Sequence, residues 1–194
     1  MILRTVPMGV ADALAHIEKH HSHHHAPCGG KFAVGVSQED GDGARIVCVA
    51  IVGRPVARVL DASGTVAELT RSASDGTAKN AASMCIASAA RAAIALGYRR
   101  IVSYTILGEL GTSYLAAGWH ITGLSGDPSG SGEGWHSRPG RTVIQPSVKV
   151  RWETGPDALP ANGAAALACA FAAHLGMEVP ARVETLPLLA RMVA

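Results

Sequence analysis

The strongest constraint on the fold lies between residues 66 and 119, where the signals run strand, loop, helix, strand, helix. Val66-Ala67-Glu68-Leu69-Thr70 is a short apolar-rich run, and the polar segment 72–80 predicts a loop after it. Residues 81–96 are Ala-rich with apolar side chains at helical spacing, and Gly97 stops the helix. Residues 100–105 predict the next strand and 108–117 a second, shorter helix, ended by Gly118-Trp119. A strand that feeds a glycine-containing loop into a helix N-terminus makes an anion seat. The first N–H groups of the helix have no internal partner, and the positive end of the dipole points the same way. Gly76 lets backbone approach a ligand and Lys79 adds a cation. The N–H groups of Thr77, Ala78, Lys79, Asn80, Ala81, Ala82 and Ser83 would then hold a diphosphate. The competing reading is an ordinary helix start with Asn80 as N-cap.

The flanks supply further strands. Residues 2–6 alternate apolar and polar, and 8–20 carry Val10, Ala13, Leu14 and Ile17 at helical spacing. Residues 31–37 predict a second strand, 38–44 an acidic, Gly-rich hairpin turn, and 45–52 a buried third strand. A turn at 61–64 leads into the Val66 run. Later, 119–123 and 148–153 predict strands on either side of a Gly/Ser/Pro-rich loop at 125–140. Pro156, Pro160 and Gly163 mark a linker, and 164–175 and 184–193 read as helices. Residues 1–153 are therefore expected to form the domain, and 154–194 a linker and helical appendage. The net charge of +2 is too small to argue for nucleic acid or a membrane by itself. No apolar run reaches the length of a membrane span, and no signal peptide is expected. Cys28, Cys48, Cys85 and Cys169 form no Cys-x-x-Cys pair, which points to reduced thiols and the cytoplasm.

Two segments carry chemistry without an assigned role. The run His20-His21-Ser22-His23-His24-His25 is internal. It reads as a solvated helix end, as acceptor-site or base residues (His20, His21 and His24), or as a metal site. On the Gly-rich loop, Trp135, His136, Arg138 and Arg141 could stack on and steer a planar or anionic acceptor, or simply belong to a loop.

The element order over residues 2–153 resembles the GNAT acyltransferase fold. So do two local patterns: the loop 74–83 before the central helix, and Ser113-Tyr114-Leu115-Ala116-Ala117-Gly118-Trp119. The first is similar to the GNAT loop Arg/Gln-x-x-Gly-x-Gly/Ala, with Lys79 early in it, Ala82 at the first glycine and no second glycine. The second is similar to Tyr-x-x-x-Gly-Phe. The resemblance implies an α/β (α+β) fold with a mixed, mostly antiparallel central sheet and helices on both faces. It implies acetyl-CoA or another acyl-CoA as co-substrate, with Thr70 and Arg71 joining residues 76–83 in binding it. Tyr114 would be the general acid to the departing thiolate, against the plainer role of packing on the sheet. Glu68 would be the general base, partnered if buried by Arg71 or a histidine, and Glu109 a base or a helix-dipole partner. His20-His21-Ser22-His23-His24, residues 50–58, Thr70-Arg71, residues 75–80, residues 96–101 and Ala116-Ala117-Gly118-Trp119 together resemble small GNAT-like proteins of phages and mobile elements.

Three functions follow as expectations. The first is an acyl-CoA-dependent N-acyltransferase, monomeric or homodimeric, acting on a small-molecule or nucleobase amine. The second is a GNAT-like protein that modifies or binds nucleic acid with a histidine-bound metal, and the third a binding module on the same fold.

Overall fold

The structure, a computed structural model, describes residues 2–20, 29–41, 43–106, 111–125 and 149–161. Among these the elements follow as β1 (Ile2–Met8), α1 (Val10–His20), β2 (Phe32–Asp40), β3 (Gly43–Gly53), α2 (Arg58–Asp61), β4 (Val66–Ser74), α3 (Ala81–Ala95), β5 (Arg100–Ile106), α4 (Thr112–Ala116), β6 (His120–Ser125) and β7 (Lys149–Thr154). The strands are ordered β1-β2-β3-β4-β5-β7-β6 in one sheet. β1 to β4 pair antiparallel, and β4 pairs parallel with β5. The sheet is therefore mixed and mostly antiparallel, as the resemblance implied.

The chain divides into two compact units. The first holds Met1–Ser103, Thr112–His120 and Glu153–Leu159, and the second Tyr104–Gly111, Ile121–Trp152 and Pro160–Ala194. In the first, the apolar stripe of α1 explains its place: Ala13 and Ile17 pack on Ala33, Val49, Ile51 and Ala73. Burying Ile17 alone is worth about 1.5–3 kcal/mol. The small side chains of α3 let it lie close over the opposite face, where Cys85 Sγ donates to Val34 O and Ser88 Oγ bonds Thr5 Oγ1 at 2.9 Å. In the second unit, Trp152 Nε1 donates to Thr105 Oγ1 at 3.0 Å and Arg151 Nε to Thr122 Oγ1 at 3.1 Å.

Several boundaries differ from the sequence-based expectation. β4 runs on to Ser74 through the expected loop, because Ser72 and Ser74 pair with Ala50 and Cys48 of β3. Ladder pairing here outweighs the weak strand preference of serine. The hairpin is tighter than expected, since β2 and β3 pair as far as Asp40↔Gly43. α4 begins at Thr112, and the short α2 had no sequence signal. Gly155-Pro156-Asp157-Ala158-Leu159, expected within a linker, belongs to the first unit. The expected helices at 164–175 and 184–193 lie outside the described residues.

Candidate functional site

The parallel ladder between β4 and β5 stops early. It runs from Val66↔Arg100 to Glu68↔Val102, although β4 continues to Ser74 and β5 to Ile106. Just past its end, Ser103 Oγ donates to Leu69 O at 2.8 Å, so a side chain spans what a backbone N–H would otherwise span. On the other edge of β4 the register shifts: Ile51 pairs with Arg71 and Val52 with Leu69, leaving Thr70 as the extra residue of a β-bulge. Its side chain is anchored, with Oγ1 donating to Ile51 O at 3.2 Å.

The bulge has a consequence that strict alternation hides. Side chains paired across a ladder share a face. Glu68 pairs with Gly53 and Arg71 with Ile51, so both lie on the α1 face, three residues apart in sequence. Leu69 and Ser72 lie on the other face.

Tyr114, on α4, sits at the same place. The Ser103 proton goes to Leu69 O, so Tyr114 Oη donates to Ser103 Oγ at 2.8 Å. The Trp119 ring packs edge-on against Tyr114, 5.3 Å between centroids, with its Nε1 buried and without a partner among the described residues. Burial pushes the Tyr114 hydroxyl above its ordinary pKa. Hydrogen bonding with Ser103 and Ser72 and the Arg71 charge pull against that rise, and the Glu68 charge adds to it. Glu68, Arg71, Ser72 and Ser103 thus all act on one phenol, which stays protonated at neutral pH. Glu68 is 6% exposed, and its Oε2 accepts the Val56 N–H at 2.8 Å.

The turn entering α3 has two parts. Upstream it is closed by its own side chains: Ser74 Oγ accepts the Gly76 N–H, and Asp75 Oδ1 accepts the Thr77 N–H and hydroxyl. Arg45 clamps this turn, reaching Asp75 Oδ2 and Thr77 Oγ1 at 2.8 Å each. The Gly76 and Thr77 N–H groups, expected in the cradle, are therefore already used. Downstream the turn is open. Asn80 is the N-cap with φ +66, in the left-handed region, and makes no side-chain cap bond. Ala81 N–H bonds Ala78 O at 3.3 Å, while the Ala82 and Ser83 N–H groups have no partner among the described residues. Lys79 is exposed beside them. Asparagine tolerates a left-handed backbone better than other non-glycine residues. Asn80 thus makes the left-handed turn into α3 without a glycine.

His20 ends α1 with its ring 4.5 Å from that of His16, whose pKa is lowered by burial and then by the His20 charge. His21, His24, Trp135 and Arg138 lie outside the described residues, as does Glu109. Among the described residues no three His, Cys, Asp or Glu side chains group as a metal site. None of the described helices is long and apolar enough to cross a membrane.

Neither a protein-family model nor a curated protein matches the sequence. Solved structures do match. An N-acetyltransferase from Staphylococcus aureus aligns over 81% of this chain and all of its own, with a TM-score of 0.51 and 11% identity. A Salmonella typhimurium protein solved with its cofactor acetyl-CoA aligns over 80% of this chain and 94% of its own (TM-score 0.51, 11% identity). The fold is that of the GNAT acetyltransferases. A third GNAT neighbour, the Drosophila melanogaster polyamine N-acetyltransferase that forms N-acetylagmatine, aligns over 79% of this chain and 100% of its own (TM-score 0.50, 9% identity).

Sequence reasoning missed Thr70 as a bulge, Ser103 and the left-handed backbone of Asn80. Only Asn80 left a signal, an asparagine immediately before an Ala-rich helix.

Proposed function

We propose that the chain is an acyl-CoA-dependent N-acyltransferase with an amine acceptor, a nucleobase amino group included. One observation carries the reading. The β4–β5 ladder ends at Glu68, and there a buried carboxylate and a protonated phenol stand where β4 runs on unpaired with β5. The open start of α3, at the far end of β4, offers the Ala82 and Ser83 N–H groups and the Lys79 cation to a diphosphate. Acyl-CoA would lie along the edge of β4 between these two points.

Each group then has a task. A backbone N–H at the bulge around Thr70 polarises the thioester carbonyl. The amine lone pair attacks the carbonyl carbon; the N–C bond forms and the C–S bond breaks. Glu68 takes the proton lost by the amine, directly or through water, and Tyr114 gives its proton to the departing thiolate. The balance is amine plus acyl-CoA to amide plus free thiol. The bound acetyl-CoA of the Salmonella protein and the acetylated amine of the Drosophila enzyme agree with this choice of donor and acceptor.

Titration with acetyl-CoA by calorimetry tests the reading. Saturable binding is expected, weakened about tenfold or more by Lys79→Glu, since that change reverses the charge beside the α3 N-terminus. No binding at millimolar acetyl-CoA overturns it.

A further inference from the structure

Arg71 is a cation whose fork is not filled. Its Nη1 donates to the carbonyl of its own neighbour, Thr70 O, at 2.8 Å, and its Nε is buried without a partner among the described residues. Four other arginines of the same unit are each answered by a carboxylate, Arg4 by Glu39, Arg45 by Asp75, Arg99 by Asp157 and Arg100 by Glu153, while Arg91 donates to Ser88 Oγ. Arg71 has no such partner among the described residues. A guanidinium presents its donors in a rigid plane that matches a carboxylate, and a buried donor left unmade is costly. A chain that keeps one there has a use for it.

The place is informative. Arg71 was expected to help bind the cofactor. It lies on the α1 face, opposite the face of Ser72 and Ser74, and β4 goes on to Ser74 before the turn into α3 begins. The bulge sets it on the same face as Glu68, two ladder positions along, about 7 Å. Its charge acts on Tyr114 from there.

We propose that Arg71 binds a carboxylate carried by one of the two reactants, a few bonds from the amide that forms. The inference rests on the acyl-transfer reading. Two sources share this chemistry: an amino acid as acceptor, or a dicarboxylic acyl group as donor. Arg71 is a specificity residue in either case and takes no part in proton transfer.

Matched pairs test it. With acetyl-CoA as donor, arginine is compared with agmatine and ornithine with putrescine; with one amine fixed, succinyl-CoA is compared with butyryl-CoA. Release of thiol is followed in the full chain. The wild type is expected to favour the carboxylate member of one series at least tenfold in kcat/KM. Arg71→Gln should bring that ratio to about one with acetyl-CoA affinity unchanged. Arg71→Lys, which keeps the charge but not the fork, should leave it in between, and thermal melting confirms that both variants are folded. The series in which the ratio appears identifies the source. A wild type that turns over both members of every pair equally overturns the Arg71 inference and leaves acyl transfer standing, as does a ratio that survives in Arg71→Gln. Failure of the wild type to bind acetyl-CoA removes the acyl-transfer reading itself.

Discussion

Tyr114 is hydrogen-bonded to Ser103, which in turn is fixed by Leu69 O, and to Ser72. Tyr114→Phe therefore leaves the Ser103 bond to the backbone intact and removes only the proton. The expected loss in kcat is about 10²-fold or more, the size of a general-acid contribution, with little change in the affinity for acetyl-CoA. A folding cost of only about 0.5–1.5 kcal/mol should show in urea denaturation. Because burial raises the Tyr114 pKa, its deprotonation sets an alkaline limb above pH 10. A kcat profile that is flat from pH 7 to 9 in the wild type agrees with this, whereas a tyrosine-dependent fall inside that range contradicts it. Asp75 makes the opposite kind of case. Its pKa is lowered by its bonds to Thr77 and Arg45, against the effect of burial, which comes first in size and raises it. Its contribution is thus complete above the unfolded value of about 3.9 and disappears as the pH falls through the lower folded value. Asp75→Ala should cost about 1–2 kcal/mol at pH 7, as a lost cap does. The gap to wild type should narrow as the pH falls below about 4; a gap that does not narrow there would mean that the charge is irrelevant.

At the scale of elements, the turn into α3 depends on one backbone conformation. Asn80 sits at φ +66 with no side-chain bond to repay it. Asn80→Gly should keep stability within about 0.5 kcal/mol and preserve acetyl-CoA binding, because glycine takes that conformation freely. Asn80→Val should cost about 1–2 kcal/mol and weaken binding, because it drives the first N–H groups of the helix out of line. Equal binding by both variants would show that the turn does not hold the ligand. This turn also marks the limit of what the sequence discloses. The order of strands and long helices was legible, because Val47, Val49 and Ile51 or Ala13 and Ile17 repeat at the period of their element. Glu68 and Tyr114 came forward as candidates through the resemblance, Tyr114 by its spacing to Gly118-Trp119 and Glu68 by its strand. The bulge at Thr70 was not, since it arises from the register of β3 against β4 and leaves no local pattern. The closed half of the turn was hidden too, because it needs Arg45 from a distant strand to clamp Asp75 and Thr77.

At the scale of the whole chain, the unit that carries the site is assembled from three separated segments, and the last of them is short. Glu153–Leu159 is fixed by Arg100, whose Nε and Nη2 reach Glu153 Oε2 and Oε1 at 2.6 and 2.5 Å. The same carboxylate accepts the Leu159 N–H at 3.0 Å, and Arg99 holds Asp157 through two further bonds. Gly155 lies against this strand with φ +111, where a Cβ would come within 2.6 Å of Arg99 O. Glu153 is fully buried, at 0% exposure, and the Arg100 side chain nearly so, at 17%. A buried pair contributes little beyond an apolar pair of the same volume, but half a pair is expensive. Glu153→Ala should thus cost about 3–5 kcal/mol, a large share of the 5–15 kcal/mol that a domain has in total. It should weaken acetyl-CoA binding as well, although Glu153 touches no proposed ligand group, because Arg100 opens the strand whose Val102 ends the ladder beside Glu68. The double variant Arg100→Met/Glu153→Leu should recover most of the loss. Urea denaturation of wild type, single and double variants measures this directly. A single-variant cost under about 1 kcal/mol would place the pair among solvated ones and detach the closing segment from the integrity of the site.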